Sequence, residues 1–194
     1  MNEDRAIRIL AISGSLRRAS FCTGLIQQLA VQTPFMQIIL HDISDIPLYN
    51  EDLERDSKPA GVIRLSRAVA GSDGVLIVTP EYNHGMPGVL KNALDWVSQP
   101  FQQSAFVHKP VSLISTSLAF TGGVRAQYQL RETLHSMLAI VVPGPEVVVG
   151  GVHRKFQGEK FSNDKESQLI LRTLRLLRNE ILAGEFRAAH LQFS

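Results

Sequence analysis

The sequence predicts an α/β protein in which a parallel β-sheet is covered by helices on both faces. Short apolar, β-rich segments alternate with segments whose apolar residues recur at helical spacing, giving five predicted strands and five predicted helices. The segment "DGVLIVTP" at residues 73–80 is apolar almost without interruption, as expected of a strand buried on both faces. The 194 residues suit one domain over residues 1–194, and no repeat or linker divides them.

The first third of the chain supplies two strands and two helices. "IRILAIS" at residues 7–13 is the first strand, and the helix that begins near Phe21 carries apolar residues at every fourth position. "MQIILHD" at residues 36–42 is the second strand. Residues 45–59 are predicted as a loop, and a helix follows over residues 60–71.

The middle of the chain continues this alternation. The third strand, at residues 73–80, is followed by a helix over residues 87–98 with apolar residues along one side. "PVSLISTS" at residues 110–117 is the fourth strand. A helix then starts after Gly123, so each strand so far is followed by a helix that can cross back over the sheet.

The sequence predicts a break within the last strand and an end point for the last helix. The fifth strand combines "AIVVPG" and "EVVVGG", and we expect it to break at Pro143, because proline cannot donate a ladder hydrogen bond. The final helix is predicted over residues 164–183, ending at Gly184.

Composition and charge exclude several classes of protein. The net charge of +2 is small and is not gathered into a stripe, so nucleic-acid binding is not expected. The single cysteine excludes an intrachain disulfide, and neither it nor the six histidines show metal-ligand spacing, so no metal is expected. Acidic residues precede the first apolar run, unlike a secretion signal, and no run approaches the roughly 20 residues that span a bilayer. We therefore expect a cytoplasmic protein without membrane contact.

Three loops are the candidates for a ligand site. Ligands of parallel α/β sheets bind beyond the carboxyl ends of the strands, where the strand order reverses. This rule selects residues 14–20, 80–88 and 115–123. The first of these loops reads "GSLRRAS"; Gly14 permits a tight turn there, and Ser20 suits the N-cap of the following helix.

The loop "GSLRRAS" is suited to holding an anion. A helix N-terminus presents free backbone N–H groups and a partial positive charge. Ser15 and Ser20 add hydroxyl donors, and Arg17 or Arg18 adds a guanidinium that matches phosphate oxygens. The loop lacks the Gly-Lys-Ser/Thr of a P-loop and the three glycines of a dinucleotide fingerprint. Taken alone, it leaves two alternatives open: a capped surface turn with solvated arginines, and a phosphorylation site for a basophilic kinase.

The second loop, "TPEYNHGMPGVLKNALDW", is suited to a flat polar ligand. Pro80 ends the strand, and Pro87 suits the first turn of a helix. Asn83 and Gly85 suit turn conformations with positive φ. Such a loop can turn backbone N–H and C=O groups towards a heterocycle, while Tyr82 supplies a face to pack on it. The alternative is a rigid turn without a ligand.

These motifs together resemble the NADPH-dependent FMN reductase family. "GSLRRAS" and the longer, more specific "PEYNHGMPGVLKNALDW" carry the resemblance, and "STSLAFTGGVRAQYQLRETL" is similar to the third flavin loop of the family. The likeness covers about residues 5 to 142. It implies a flavodoxin-like three-layer α/β/α sandwich with a five-stranded parallel sheet of order 2-1-3-4-5. It further implies FMN as cofactor, NADPH or NADH as co-substrate, a small-molecule electron acceptor, and assembly as a homodimer or homotetramer.

The resemblance assigns the FMN phosphate to the first loop. Its expected ligands are the side chains of Ser15, Arg17 and Ser20 and the backbone of Phe21 and Cys22. Arg18 is expected to face solvent. Cys22 replaces an asparagine that is common in the family, so one side-chain contact is missing; we interpret it as a small buried residue, with a reactive thiol as the alternative.

The resemblance assigns the isoalloxazine ring to the other two loops. The residues expected to line the ring after the third strand are Pro80, Glu81, Tyr82 and Asn83. Ser117 would meet the ring or the ribityl chain, and Gly122 and Gly123 would keep their loop low over the flavin. His84 receives no role, and no side chain is named as catalytic, because flavin chemistry is mostly that of the cofactor.

Two classes of function remain open at this stage. The resemblance implies a reductase that passes electrons from a nicotinamide through FMN to a quinone, azo, metal-oxyanion or flavin acceptor. The alternative is a flavodoxin-type electron carrier, or a flavin-bound sensor, that uses no nicotinamide. Carriers of that type are usually acidic, whereas this chain has a pI of about 8.9, which favours the enzyme.

Overall fold

A computed structural model of the chain describes residues 6–158 and 160–191. The strands of its main sheet are β1 (Ile7–Ser13), β2 (Met36–His41), β3 (Gly74–Pro80), β4 (Pro110–Thr116), β5 (Ile140–Val141) and β6 (Val147–Val149). All pairings in this sheet are parallel, and the order is β2-β1-β3-β4-β5, with β6 also paired to β4. The expected order 2-1-3-4-5 is therefore confirmed. It reverses direction between β1 and β3, so the loops after these strands flank a switch point.

Helices cover both faces of this sheet. They are α1 (Phe21–Gln32), α2 (Glu51–Asp56), α3 (Ala60–Ala70), α4 (Gly88–Val97), α5 (Val124–Ser136) and α6 (Asp164–Leu191). Helices α3, α4 and α5 share one hydrophobic core with the sheet, and α1 and α6 share another core with its opposite face. The expected three-layer sandwich is confirmed.

The two cores explain the uninterrupted apolar strands of the sequence. In β1, Ile9 and Ala11 belong to the core under α1 and α6, whereas Leu10 and Ile12 belong to the core under α3, α4 and α5. Successive side chains of a strand point to opposite faces, so a strand covered on both sides needs apolar residues at its covered positions; Arg8, near the start of β1, is exposed.

The fifth strand is interrupted, as the sequence predicted at Pro143. β5 pairs with the start of β4 at Pro110 and Val111, and β6 pairs with the end of β4, from Ile114 to Thr116. The two short strands thus occupy one edge of the sheet in succession. This arrangement carries the chain along β4 to the carboxyl end of the sheet.

Two predicted boundaries are wrong. The segment 45–59, predicted as a loop, contains α2, whose N-cap Asn50 accepts a hydrogen bond from the amide of Asp52; acidic residues fill the first turn, where the helix dipole favours them. The last helix does not end at Gly184 but continues to Leu191. A lone glycine costs a helix only about 1 kcal/mol, and no proline follows it.

The segment after β6 packs against α1. A short 3₁₀ turn (Val152–Arg154) leads into the antiparallel strands β7 (Phe156–Gln157) and β8 (Lys160–Phe161). The ring centroid of Phe156 lies 5.1 Å from that of Phe21, and the Gln28 side-chain amide exchanges two hydrogen bonds with the backbone of Phe161. These contacts fix the segment beside the first loop.

Candidate functional site

The three loops selected from the sequence meet in one cleft of about 360 Å³ at the carboxyl ends of β1, β3 and β4. We call it the first cleft. Its lining consists of Ser15, Arg17, Ser20, Phe21, Cys22, Pro80, Glu81, Tyr82, Thr116, Ser117, Leu118, Ala119 and Val152. Most of the expected site residues are therefore brought together. Asn83, Gly122 and Gly123 lie in the same loops but outside this lining.

The first loop starts from a tight contact with β3. The amide of Gly14 donates to the carbonyl of Val78 at 2.8 Å, which continues the β1–β3 ladder into the loop. A Cβ atom on Gly14 would lie 2.6 Å from the hydroxyl of Thr79, which is fully buried. Only glycine fits at this point, and the loop leaves the strand next to the loop that follows β3.

The N-terminus of α1 faces the first cleft. Ser20 is the N-cap, as predicted, and its hydroxyl oxygen accepts a hydrogen bond from the amide of Thr23 at 3.3 Å. Phe21 and Cys22, the first two helical residues, line the cleft, and the amides of a first helical turn have no partner within the helix. The helix start can therefore receive an anion there.

The two arginines of the first loop separate in space. Arg17 lines the first cleft, and its guanidinium donates to the carbonyl of Ala19 at 3.0 Å, so the side chain curls back towards the start of α1. The hydroxyl oxygen of Ser15 accepts from the amide of Arg17 at 3.4 Å. Arg18 is exposed and lies outside the first cleft, which agrees with the expectation from the sequence.

The second loop folds back in a two-residue turn. Tyr82 and Gly85 exchange backbone hydrogen bonds of 3.0 Å in both directions, and the residues between them, Asn83 and His84, have φ of 47° and 67°. This is the pattern of a type I′ turn. Positive φ was expected at Asn83 and Gly85, so the assignment to Gly85 is wrong. Gly85 is instead a site of close approach, since its Cβ would lie 2.7 Å from an oxygen of Gln129.

Glu81 ties the second loop to the third. Its carboxylate accepts hydrogen bonds from the amides of Arg125 at 2.9 Å and Ala126 at 3.4 Å, both in the first turn of α5. The guanidinium of Arg125 and the imidazole of His84 lie 3.6 and 3.7 Å from the same carboxylate. A carboxylate at a helix N-terminus is favoured by the dipole. Glu81 therefore lines the cleft while its carboxylate holds two loops together.

The third loop is held from beneath by buried polar side chains. The Ser115 hydroxyl donates to the carbonyl of Gly122 at 2.7 Å, and the fully buried Gln127 amide donates to that hydroxyl at 3.0 Å and to the carbonyl of Val147 at 2.7 Å. Gly122 and Gly123 have φ of 65° and 85°. Both glycines shape the turn from β4 into α5, and their contact with a flavin remains a prediction.

Four lining residues were not expected from the sequence: Thr116, Leu118, Ala119 and Val152. The first three lie next to or near Ser117 within a loop that the sequence had already selected, so their positions in the sequence could have identified them as lining residues. Val152 follows β6 and reaches the cleft only because β6 pairs with the end of β4. No local sequence pattern marks such a long-range contact.

Cys22 is buried in the floor of the first cleft. Its sulfur lies 3.2 Å from the hydroxyl of Thr116 on β4. Burial raises the pKa of the Cys22 thiol to about 11, although the Thr116 hydrogen bond acts in the opposite direction. The interpretation as a small buried residue is confirmed, because a thiolate is disfavoured at this position.

The native protein should therefore resist thiol alkylation. We expect iodoacetamide at about pH 8 to leave Cys22 unmodified, since only the thiolate reacts and its population is very small. Intact-mass spectrometry would check this, with the urea-unfolded protein as the control that reacts. Rapid alkylation of the native protein would show that the thiol is accessible and that its pKa is not raised.

Two further properties of the described residues bear on the site. Within residues 6–158 and 160–191, no three or more His, Cys, Asp or Glu side chains are grouped so that they could hold a metal ion. In the same part of the chain, every helix is too short or too polar to cross a membrane.

Sequence comparison relates this chain to flavin-dependent reductases. Residues 7–154 match the sequence model of the family described as NADPH-dependent FMN reductase. The chain is 39% identical over 180 residues to an NAD(P)H-dependent FMN reductase of Pseudomonas aeruginosa, which covers 92% of this chain and 96% of the relative. It is 36% identical over 158 residues to a quinone reductase of Pseudomonas putida, covering 81% of this chain and 85% of that protein.

Structural comparison agrees with the sequence relatives. FerB, a flavoenzyme NAD(P)H:(acceptor) oxidoreductase from Paracoccus denitrificans, matches with a TM-score of 0.83 at 29% identity, over 92% of this chain and 98% of FerB. The likeness therefore extends over nearly the full length of both chains. The matched residues 7–154 contain every lining residue of the first cleft named above. This chain belongs to the NADPH-dependent FMN reductase family.

Proposed function

We propose that the protein is an NAD(P)H-dependent reductase that binds FMN in the first cleft and passes electrons to a small-molecule acceptor. The observation that carries this proposal is the start of α1, where helix amides, two serine hydroxyls and the Arg17 guanidinium line one cleft together with the Pro80–Tyr82 segment. The family membership of the chain supports FMN as the group held there.

The donors of the first loop fit a phosphate. Ser15 and Ser20 both line the cleft, and both are more than nine-tenths buried. Arg17 adds a charged donor, and the amides of Phe21 and Cys22 add the positive end of the α1 dipole. A phosphate monoester has three acceptor oxygens and a charge near −2, so this set satisfies it from several directions.

The other wall of the cleft fits a flat ring. Pro80 and Tyr82 supply apolar surface, and Ser117 supplies a hydroxyl from the opposite loop. Tyr82 is 50% exposed, so its ring can pack on a ligand at the mouth of the cleft. FMN supplies the capacity to accept two electrons from a nicotinamide and to release them to an acceptor, whereas the protein orients the reactants. The Pseudomonas putida relative is named a quinone reductase, which favours quinones among the acceptors.

Apolar residues around the mouth of the cleft support assembly into a homodimer or homotetramer. Leu118 and Phe120 are 59% and 91% exposed, and both belong to the third loop. Large exposed side chains at one site are typical of an interface between protein chains. We place the oligomer in the cytoplasm, since the only cysteine of the sequence is a buried free thiol, which suits a reducing compartment.

Reduction of the bound flavin without a protein partner tests the enzyme against the carrier. FMN-loaded protein mixed anaerobically with NADPH or NADH should lose its flavin absorbance within seconds to minutes, and a benzoquinone should restore it. A sample without nicotinamide is the control. Persistent colour with both nicotinamides would favour the electron carrier or sensor, and failure to bind FMN would reject the flavin site altogether.

A further inference from the structure

A second cleft of about 400 Å³ adjoins the first on the β2 side of the first loop. Ser15 and Arg17 line both clefts, so the first loop forms the ridge between them. The far wall of the second cleft is the segment that follows β2, including His41, Asp42 and Ser44. The volume lies within the range of about 300–1,000 Å³ that is typical of small-molecule sites. Apart from Ser15 and Arg17, none of the residues that line the second cleft is assigned to the proposed flavin site.

The second cleft combines apolar walls with a free cation. Leu16 and Leu40 line it and are 48% and 37% exposed, so their apolar surface is accessible to a ligand. Arg18 lines it too, and within the described parts of the chain its guanidinium has no hydrogen-bond or ion-pair partner. Apolar side chains of this kind can pack on a base, and an unpaired guanidinium can take a phosphate in a bidentate arrangement.

The remaining titratable groups leave the second cleft with a positive balance. Hydrogen bonds from the amide and hydroxyl of Ser44 lower the pKa of Asp42, so this carboxylate is ionised and already holds two donors. Burial, with a contribution from Arg64, lowers the pKa of His41, so its imidazole is neutral near pH 7. The lining of the second cleft thus carries two guanidiniums, of Arg17 and Arg18, and one carboxylate, of Asp42.

We propose that the second cleft holds the adenosine half of the nicotinamide dinucleotide, with Arg18 bound to the 2′-phosphate of NADPH. The proposal rests on the proposed function: FMN lies in the first cleft, and hydride transfer to it requires the nicotinamide to lie against the flavin there. A dinucleotide is two nucleotides joined by a pyrophosphate. The two adjoining clefts can each take one nucleotide, and the pyrophosphate would then cross the ridge that carries Arg17. Leu16 and Leu40 would pack on the adenine. Arg18 would then discriminate NADPH from NADH, which lacks the second phosphate.

Equilibrium binding of 2′,5′-ADP to the FMN-loaded protein tests this site without any turnover. Isothermal titration with excess FMN present should show 2′,5′-ADP binding more tightly than 5′-AMP. Arg18→Ala should weaken 2′,5′-ADP binding by about tenfold, the effect of losing one charge-assisted contact, while leaving 5′-AMP unchanged. Arg18→Lys should retain part of the affinity, and Arg172→Ala, an exposed arginine on α6, is the matched control.

Steady-state kinetics supply the second measurement. Arg18→Ala should raise KM for NADPH by a similar factor, with kcat and the KM for NADH unchanged. Equal effects on both nicotinamides, or none, would overturn the proposal, as would equal affinity of the unaltered protein for 2′,5′-ADP and 5′-AMP. The two proposals fail separately: bleaching by NADPH that is independent of Arg18 rejects only the adenosine site. Arg18-dependent binding of 2′,5′-ADP without bleaching rejects only the reductase.

Discussion

Arg17→Ala should weaken FMN binding by about 1.5–3 kcal/mol, which is a rise in Kd of roughly 10- to 150-fold. The structure places this guanidinium at the start of α1, within the first cleft and bonded to the carbonyl of Ala19. Among the described residues that line the cleft, alanine removes the only side chain of full positive charge, while the serine hydroxyls and helix amides remain. Fluorescence titration of the flavin-free protein with FMN measures the change.

Arg18→Ala is the matched control for FMN binding. Arg18 is the next residue in the same exposed loop, yet it lies outside the first cleft, so its loss should leave the Kd for FMN within about twofold. Circular dichroism of both variants checks that the fold is retained. Unchanged FMN affinity in Arg17→Ala, or an equal loss in both variants, would show that the phosphate is not held where we place it.

Gly122→Ala should destabilise the protein by about 2–4 kcal/mol. Gly122 has a φ of 65°, in the left-handed region that costs a residue with a side chain about 1–2 kcal/mol. Its Cβ would lie 2.8 Å from both the carbonyl carbon and the Cβ of Val148. Because backbone cannot rotate away as a side chain can, the third loop must shift. Urea unfolding of the FMN-free protein measures the loss, and FMN affinity should fall with it.

Gly158→Ala is the control that distinguishes the cost of a positive φ from the cost of the steric contact at Gly122. Gly158 has a φ of 62°, but among the described residues, its chain neighbours aside, no heavy atom lies within 4 Å of the position that a Cβ would take. This variant should therefore lose only about 1 kcal/mol, the conformational cost alone. If the two variants were equally stable, the approach of Gly122 to Val148 would not constrain the fold, and our account of the third loop would need revision.

The strands could be predicted well because their signal is local. β1 and β3 are buried on both faces along most of their length, Arg8 being the exposed exception in β1, so the apolar runs are visible without knowing what covers them. The break at Pro143 was predictable for a similar reason, since a missing N–H is a property of the residue itself. By contrast, α2 was missed because six residues carry too short a periodic pattern, and only Asn50 and the acidic first turn mark its start.

The site was predictable where the chemistry lies in one short segment. "GSLRRAS" contains the N-cap, the hydroxyls and the guanidinium of the first loop, and the switch-point rule brings it beside the loop after β3. The two arginines are adjacent in sequence, however, and only the resemblance to a family separated their roles. The structure adds that Arg17 lines both clefts, whereas Arg18 lines only the second.

By itself, the sequence determined the fold class, the strand boundaries near the sheet centre and the three loops that carry the ligand chemistry, because these depend on residue type and spacing within short segments. Only the tertiary structure decided what joins the loops. Glu81 caps α5 from 44 residues away, and Val152 reaches the cleft through the pairing of β6 with β4. Contacts of this kind depend on how the elements pack in space, so the pattern of residues along the chain does not reveal which distant residues meet.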